Sequence, residues 1–522
     1  MPEKLPQHPA RPGMKFHGTS PRGLETVPRS VSHEGRFGRM FRTLAPFEPK
    51  DSDLARLAAT MIEKPVDVEE PDAPSNNGGL PAGFTYFGQF IDHDLTFDPV
   101  SQLQRQNDPE ALEDFRTPRF DLDNLYGRGP NDSPFLYNRG GETFLIGKNG
   151  AGEDDLPRAN AADTTPGAWK RALIGDPRND ENLIVSQIHL AFLKYHNKVV
   201  AALPPGSKRF EQAQQVVRRH YNWLVLHDFL PKIVGQDLVD SVLTSEKYGD
   251  GFSGRTWKAD LRFYSFKVLP FMPVEFSVGA YRFGHSLVRF NYAMNAATDE
   301  HELLIFDPKD PDNDLADDLR GFRERPADRQ IEWFRFFDVA GGDKTKLQPA
   351  RAIDTQISAG LGGLPTVVIG GPASASNPSS LAERNLVRGK ALLLPTGQDV
   401  ARAMGLPDEL ILSTDHEFSI GVGKPDASSP EISPADKDAL KQLFGDTTPL
   451  WYYILKEAEV FSRGRTLGPV GGRIVAEVFI GLLLADPTCF LNNEPNWKPV
   501  AGEFGCAEDG EFFMKDLVTF VS

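Results

Sequence analysis

A polar stripe inside an aromatic segment is the first place in this sequence where chemistry is indicated. The string TYFGQFIDHDLTFD at residues 85–98 carries Gln89, Asp92, His93 and Asp94. On a helix, Gln89 and His93 face the same way, and each aspartate is turned about 100° to one side of the histidine. Buried polar groups need partners. The stripe therefore indicates either a functional site or a core histidine held by hydrogen bonds.

A second string, TPRFDLDNLYG at residues 117–127, places side-chain oxygens at Thr117, Asp121 and Asp123. Alternating oxygens with a backbone carbonyl between them suit a hard cation such as Ca²⁺, and Asp94 is a candidate to complete the shell. The alternative is an ordinary Asp-rich turn.

A third string, GDPRNDENLIV, holds Arg178 and Glu181 just ahead of a strongly amphipathic run. Glutamate interacts favourably with the N-terminal end of a helix dipole, whereas arginine is favoured there only if it reaches into a site. The same run carries His189 and His196, seven residues apart on one face. For these two histidines we predict core or capping roles rather than ligand roles.

A fourth string, YRFGHSLV at residues 281–288, sets His285 between glycine and serine in an apolar surrounding. Such a histidine is either an axial haem ligand or an ordinary core residue. A fifth string, NLVRGKALLLP from Asn385, indicates nothing by itself.

Composition limits the class of protein. The chain has 522 residues, with 57 Lys and Arg against 73 Asp and Glu, giving a net charge of −16. This balance argues against a nucleic-acid partner, which needs concentrated basic side chains. With 40% hydrophobic residues and 36 Phe, a sizeable core is expected. Two cysteines, Cys489 and Cys506, exclude a disulfide framework and a thiolate metal cluster; they either pair or stay free.

Neither end of the chain suggests a membrane. The start, MPEKLPQHPARPG, lacks the apolar region of a secretory signal, and the longest apolar run, residues 478–485, is too short to span a bilayer. We therefore expect no signal peptide and no membrane span, and a location that is cytoplasmic or reached by a signal-less export route.

The segments that must position these residues are mostly helical. Apolar residues recur at three- and four-residue steps over residues 183–203, 210–234, 381–404 and 436–485, the last as more than one helix. Strand signals are few and short, such as residues 366–369. We predict a mainly α fold, a large single helical domain with long irregular connections and very little β structure. An Asp-, Pro- and Arg-rich segment, residues 307–330, is predicted to be a solvated connection.

Residues 1–62 are predicted to form an N-terminal arm, and residues 63–522 the main domain. The arm either packs on the body or trails from it as a flexible tail. Four aromatic side chains are candidates to anchor the arm: Phe16, Phe37, Phe41 and Phe47.

Taken together and in this order, the five strings resemble the animal-type haem peroxidase superfamily, whose members include myeloperoxidase and peroxidasin. The motifs are Gln-x-x-Asp-His-Asp, Arg-x-x-Glu, Arg-x-x-His and Asn-x-x-Arg, and the resemblance runs from about residue 84 to residue 484. It implies a helical haem peroxidase domain with haem b and Ca²⁺ as cofactors. The missing signal and the few cysteines indicate a bacterial-type, signal-less member.

The resemblance also implies roles for single residues. His93 matches the distal base, Gln89 its neighbour that hydrogen-bonds water or a small anion, and Arg178 the distal arginine. His285 matches the proximal iron ligand, and Asn385 the acceptor for its other ring nitrogen. The remaining matches are Arg282 and Arg388 near the haem propionates, Asp92 and Glu181 as carboxylates that become ester-linked to haem methyls, and Asp94, Thr117, Arg119 (through its carbonyl), Asp121 and Asp123 as calcium ligands.

The function implied is a peroxidase that uses hydrogen peroxide to form a ferryl haem and then oxidises small donors: bromide, iodide, thiocyanate or phenolic compounds. One alternative is a haem-dependent fatty-acid dioxygenase of the same superfamily. Such enzymes place a radical-forming Tyr three residues before the proximal histidine, where this chain has Arg282, and Tyr281 is one step away. Another alternative is a non-catalytic haem-binding or adhesion protein, although the chain contains neither RGD nor KGD.

Three positions depart from the family pattern. Asn182 stands where myeloperoxidase has a Met bonded to haem, so neither a sulfonium link nor chloride oxidation is expected. Asp123 stands where mammalian members have Ser, which adds a negative charge at the cation. The segment after Arg388 lacks the Arg-Asp-His-Gly stretch common in the family.

Overall fold

The structure is a computed structural model that describes residues 35–63, 77–97, 114, 116–159, 171–248, 254–266, 269–307, 317–413 and 433–522. The α-helices are α1 (Asp51–Ala59), α2 (Gly83–Leu95), α3 (Asp123–Tyr126), α4 (Gly129–Asp132), α5 (Leu183–Ala202), α6 (Arg209–Trp223), α7 (Leu230–Val234), α8 (Gln236–Val242), α9 (Thr366–Ile369), α10 (Leu381–Ala391), α11 (Gly397–Ala403), α12 (Pro434–Phe444), α13 (Leu450–Ser462), α14 (Pro469–Ala485), α15 (Phe490–Asn493) and α16 (Met514–Val521). The β-strands are β1 (Phe37–Gly38), β2 (Gly147–Lys148), β3 (Asp154–Asp155), β4 (Leu243–Tyr248), β5 (Gly254–Ala259), β6 (Met272–Pro273), β7 (Asn291–Tyr292) and β8 (Leu303–Leu304).

The strands form only two-stranded pairs within the described residues. β1 pairs with β6 in parallel, and the pairs β2–β3, β4–β5 and β7–β8 are antiparallel. Helices make up most of the regular structure, so the predicted mainly α fold is confirmed.

Helices α5 and α14 form the centre of the core. Both are apolar around most of their circumference, which is typical of a helix enclosed by other elements. α2 and α6 pack on α5, and α14 packs on α7, α8 and α13. α5 begins at Asn182, whose side-chain oxygen accepts hydrogen bonds from the amides of Ile184 and Val185. The predicted core roles of His189 and His196 are confirmed, since neither side chain is exposed.

Two predicted segments have a different secondary structure. Residues 381–404 form two helices, α10 and α11, because Leu393 adopts a left-handed φ of 56° and Pro395 cannot continue a helix. Residues 366–369, predicted as a strand, form the single helical turn α9. Pro365 precedes this turn and Gly370, with φ of 79°, ends it, so the flanking residues outweigh the strand preference of Thr, Val and Ile.

The segment at residues 307–330 is also not simply solvated. In its described part, Asp318 is fully buried and pairs with Arg320 at 2.7 Å. A buried carboxylate needs such a partner to offset its lost hydration. In the described part of this segment, Asp318 and three arginines (Arg320, Arg325 and Arg329) are thus interior, whereas Asp317 and Asp328 are exposed.

The described part of the N-terminal arm packs on the helical body. Phe37 and Phe41 are buried, and Phe47 meets Phe444 edge-on with ring centroids 6.3 Å apart. The buried carboxylate of Glu275 accepts hydrogen bonds from the amides of Met40 and Phe41, each at 3.1 Å. Phe16 lies outside the described residues, and the boundary between residues 62 and 63 stays a prediction.

Cys489 and Cys506 are buried free thiols. In the part of the chain that the structure describes, no helix has the length and apolar character needed to cross a bilayer.

The buried histidines predict a specific loss of stability in acid. Burial lowers the pKa of His196 to about 4 from its ordinary 6.5, so the folded chain binds fewer protons than the unfolded chain as pH falls through this range. The stability that neutral His196 allows is therefore fully present above pH 6.5 and is lost as pH falls toward 4. At pH 5 the loss in free energy of unfolding is about 2 kcal/mol. We expect His196→Phe to reduce the difference in free energy of unfolding between pH 7 and pH 5 by this amount, measured by urea denaturation.

The exposed His301 is the matched control for this measurement. His301→Gln is expected to leave the pH dependence of unfolding unchanged. An identical pH dependence in His196→Phe and the parent protein would contradict the assignment.

Candidate active site

Two histidines from distant parts of the chain line one cavity. His93 comes from α2, and His285 ends the 3₁₀ segment Ala280–His285. The cavity is also lined by other residues singled out in the sequence: Gln89, Asp92, Arg178, Glu181, Arg282, Asn385 and Arg388. The structure therefore brings together every residue that the resemblance assigned to haem and to the distal side.

His93 is buried and held through one ring nitrogen. Its Nδ1 lies 2.8 Å from Oδ1 of Asn179. Burial lowers the pKa of His93 to about 4, and the positive charge of Arg178 acts in the same direction. The imidazole is therefore neutral at ordinary pH, which is the form that can accept a proton.

Arg178 is fixed beside His93 by a buried carboxylate. Its Nε and Nη2 donate to Asp176 at 3.1 and 2.8 Å, and Nη2 also donates to the carbonyl of Thr96 at 2.7 Å. The guanidinium lies over the ring of Phe97, 4.6 Å from its centroid. Although burial acts to raise it, the pKa of Asp176 is held well below its ordinary range by the charges of Arg178 and Arg116.

Gln89 connects α2 to the start of α5. Its Nε2 donates to Oε2 of Glu181 at 3.2 Å, and its Oε1 accepts from Nδ2 of Asn182 at 3.0 Å. Both ends of the amide are engaged, so its orientation is fixed. Asn182, at the position where myeloperoxidase has a Met, thus supplies both the helix cap and a partner for Gln89.

His285 is paired with Asn385 from α10. Nδ2 of Asn385 lies 2.7 Å from Nδ1 of His285, so the amide donates and the ring accepts. The predicted acceptor role of Asn385 requires the opposite arrangement, because a histidine that binds a metal through Nε2 carries its proton on Nδ1. Rotation of the Asn385 amide by 180° meets this requirement without moving the backbone. Burial and the nearby Arg282 lower the pKa of His285 to about 3.

A cationic wall of the cavity includes one residue that the sequence reasoning missed. Arg384 is buried, lines the cavity, and lies four residues before Arg388 on α10. Its Nη1 donates to Asn377 at 2.7 Å and its Nε has no hydrogen-bond partner. Burial and the charge of Arg388 lower the pKa of Arg384 to about 10. The spacing of the two arginines around Asn385 was the available signal.

These residues fit a planar anionic cofactor such as haem. With the Asn385 amide rotated to accept from Nδ1, His285 would offer Nε2 as a metal ligand. Arg282, Arg384 and Arg388 line the same cavity and suit carboxylate groups. The carboxylates of Asp92 and Glu181 also line it, and Asp92 accepts from the hydroxyl of Thr96 at 3.1 Å.

The predicted oxygen ligands also lie together. Carboxylate oxygens of Asp94, Asp121 and Asp123 are all within 4.8 Å of one another. Burial, then the like charges of Asp121 and Asp123, raise the pKa of Asp94 well above its ordinary value. One oxygen of Asp94 has no hydrogen-bond partner, while the other accepts from the amide of Leu122 at 3.2 Å. Buried like charges with an unpaired oxygen fit a cation.

The other two predicted ligands lie on the same loop. The hydroxyl of Thr117 donates to Asp121 at 2.8 Å, and the carbonyl of Thr117 accepts from the amide of Arg119. A further residue, Arg116, was not predicted from the sequence. It is buried and pairs with Asp123 at 3.2 Å and with Asp176 at 2.5 Å. Arg116 therefore offsets the additional negative charge that Asp123 brings to the cluster.

Known haem peroxidases are similar to part of this chain in sequence. The family description "Animal haem peroxidase" matches residues 113–334. Thyroid peroxidase of Mus musculus is 25% identical over 236 residues, which are 41% of this chain and 24% of that protein. A peroxidase-like protein of Margaritifera margaritifera is 32% identical over 123 residues, 22% of this chain and 14% of that protein. The match thus spans a quarter or less of the length of these relatives.

Solved structures with low sequence identity share the fold. Peroxidase A from Dictyostelium discoideum superposes with a TM-score of 0.58 at 16% identity, covering 94% of this chain and 96% of that chain. A fatty acid alpha-dioxygenase from Oryza sativa superposes with a TM-score of 0.54 at 13% identity, covering 92% of this chain and 79% of that chain. The ordered motifs, the fold and the matching family description agree. Residues 113–334 are thus similar to an animal haem peroxidase domain, and the chain shares its fold with these peroxidase and dioxygenase structures.

Proposed function

We propose that this chain is a haem peroxidase that reduces hydrogen peroxide and oxidises small donors: bromide, iodide, thiocyanate or phenolic compounds. The observation that carries the proposal is that His93, Arg178 and His285 line one cavity. The chemistry that haem supplies when bound is the reduction of peroxide at iron and the subsequent oxidation of the donor.

The distal residues would handle the proton of peroxide. Neutral His93 takes a proton from the bound peroxide oxygen and delivers it to the departing oxygen, which leaves as water. Arg178, which Asp176 holds in place, stabilises the negative charge that develops on the departing oxygen. Gln89 is fixed at both ends of its amide and adds an oriented dipole beside His93. His285 would bind the haem iron, and Arg282, Arg384 and Arg388 would pair with the haem carboxylates.

Ester links between Asp92 or Glu181 and the haem are part of the same proposal, since both carboxylates line the cavity. Such a link requires that a carboxylate lie at the haem edge. If ester links are present, haem stays with the denatured protein when it is extracted with acid acetone.

The dioxygenase alternative is less well supported by the site. Position 282 is an arginine, and the hydroxyl of Tyr281 donates to the carbonyl of Gly88 at 3.2 Å. Burial raises the pKa of Tyr281 well above its ordinary value. A tyrosine loses its proton on oxidation, and a backbone carbonyl is a poor acceptor for it, so a radical at Tyr281 is disfavoured.

The first prediction from this proposed function concerns the distal base. His93→Ala is expected to bind haem through His285 but to react with stoichiometric peroxide about 10²–10⁴ times more slowly, because the general acid–base is lost. The rate of the Soret change in a stopped-flow instrument measures this step, and the haem content measures binding. His301→Ala, which removes an exposed imidazole, is the control and keeps the parent rate. An unchanged rate in His93→Ala would contradict the mechanism.

The second prediction concerns Ca²⁺ at Asp94, Asp121 and Asp123. Asp121→Asn is expected to weaken Ca²⁺ binding at least about tenfold, since one anionic ligand of a three-carboxylate cluster is removed. Isothermal titration calorimetry on the chelator-treated protein gives the affinity. The exposed Asp132 provides the control substitution Asp132→Asn, for which no change is expected. Equal affinities in both variants would exclude this cluster as the site.

The third prediction separates the two enzyme classes. With a polyunsaturated fatty acid and haem-loaded protein, we expect no rapid oxygen uptake, whereas peroxide with bromide or a phenol gives turnover. An oxygen electrode and a donor assay on one preparation make the comparison. Rapid oxygen consumption would favour the dioxygenase.

A further inference from the structure

A chain of hydrogen bonds runs from the cavity into the core through Asn179. Oδ1 of Asn179 lies 2.8 Å from Nδ1 of His93, and Nδ2 of Asn179 lies 3.0 Å from Nδ1 of His189. All three side chains are buried. His93 is on α2, Asn179 on the 3₁₀ segment Pro177–Asp180 and His189 on α5, so the chain of bonds joins three elements.

The orientation of the Asn179 amide decides where His93 carries its proton. An amide oxygen only accepts hydrogen bonds, so Nδ1 of His93 must donate and therefore holds the proton. The lone pair of the neutral ring is then on Nε2. If the amide were reversed, Nδ1 would accept and Nε2 would hold the proton, so Nε2 would have no lone pair with which to take a proton from a ligand.

His189 takes part in this arrangement through the other end of the Asn179 amide. Its Nδ1 accepts from Nδ2 of Asn179, which leaves the amide oxygen for His93. Nε2 of His189 has no hydrogen-bond partner although it is buried, and the ring packs edge-on against Phe90 at 5.9 Å. A buried unpaired polar group is costly. Among the described residues, the hydrogen bond to Asn179 is the one that the His189 ring makes.

The backbone that carries Asn179 is held on both sides. Arg178 is bonded to Asp176, and Asp180 accepts two hydrogen bonds from Arg158, at 2.7 and 2.9 Å. The amide of Asn179 is thus confined between the two histidine rings.

We propose that Asn179 and His189 are positioning residues that keep the proton of His93 on Nδ1 and its lone pair on Nε2, available for peroxide. This inference rests on the proposed function, because it assigns how the distal base of that reaction is prepared. Neither residue touches the substrate: Asn179 acts through His93, and His189 acts through Asn179.

The direct test is the tautomer of His93. Full-length, haem-loaded protein labelled with ¹⁵N histidine is studied in its ferrous carbon monoxide form, which is diamagnetic. The chain has 11 histidines, and His93→Gln identifies the His93 signals by their loss. In the parent we expect the ¹⁵N chemical shift of a protonated nitrogen for Nδ1 of His93 and that of an unprotonated nitrogen for Nε2. In Asn179→Leu we expect this preference for one tautomer to be lost.

Kinetics of the peroxide step provide the second readout. Asn179→Leu should slow the step about 100-fold, since a large share of the acid–base contribution is lost. Asn179→Asp should stay within about tenfold of the parent, because a carboxylate also accepts from Nδ1. His189→Gln still offers an acceptor to the Asn179 amide, so its rate of the peroxide step should equal that of the parent. The rate of His189→Leu should lie between those of the parent and Asn179→Leu.

Two results would overturn the inference. One is retention of the Nδ1-protonated signature in Asn179→Leu, and the other is an equal loss of rate in folded Asn179→Leu and Asn179→Asp, as a merely structural role would give. Failure of the proposed function is distinguishable: a parent that shows no peroxide reaction is still tested by the ¹⁵N spectrum of the full-length chain. There, a proton on Nε2 of His93 would reject the inference, and one on Nδ1 would retain it.

Discussion

The arrangement of the distal side depends on one buried carboxylate. Asp176 is fully buried and pairs with both Arg178 and Arg116, at 2.8 and 2.5 Å. Burying a carboxylate costs several kcal/mol unless charged partners replace its water, and removing one partner leaves an uncompensated charge. Because Arg178 contacts the backbone of α2 and Arg116 reaches Asp123, this carboxylate connects the histidine side of the cavity with the oxygen-rich cluster.

Each of the two histidines of the cavity is held by an asparagine, but the two asparagine amides are turned in opposite directions. Asn179 presents its oxygen to His93, and Asn385 presents its nitrogen to His285. The proton is thus placed on Nδ1 in the first ring and on Nε2 in the second. Ligation of a metal by Nε2 of His285 would therefore require rotation of the Asn385 amide, whereas His93 has its lone pair on Nε2 in the arrangement described.

The fold alone does not separate the enzyme classes, because a peroxidase and a fatty acid alpha-dioxygenase superpose on this chain to a similar extent. What distinguishes them chemically is the surroundings of a few side chains. In this chain Arg282 is three residues before His285, and Tyr281 is bonded to the backbone of α2. Gln89, His93 and Arg178 line the same cavity, and the proposed peroxide chemistry rests on these three residues.

The sequence by itself determined the helices with a strong apolar period, such as α5, and the residues whose order matches a known family pattern, such as His93, Arg178 and His285. It was wrong for residues 366–369, where Pro365 and Gly370 impose a helical turn on residues that prefer strands. Only the tertiary structure identified Asp176, Arg116, Asn179 and Arg384 as parts of the site. These residues belong to the site because of contacts with residues far away in the sequence; Asn179, for example, contacts His93, which is 86 residues away. Periodicity reports which face of a segment is apolar, whereas the pairing of polar groups across elements is decided by how the helices pack.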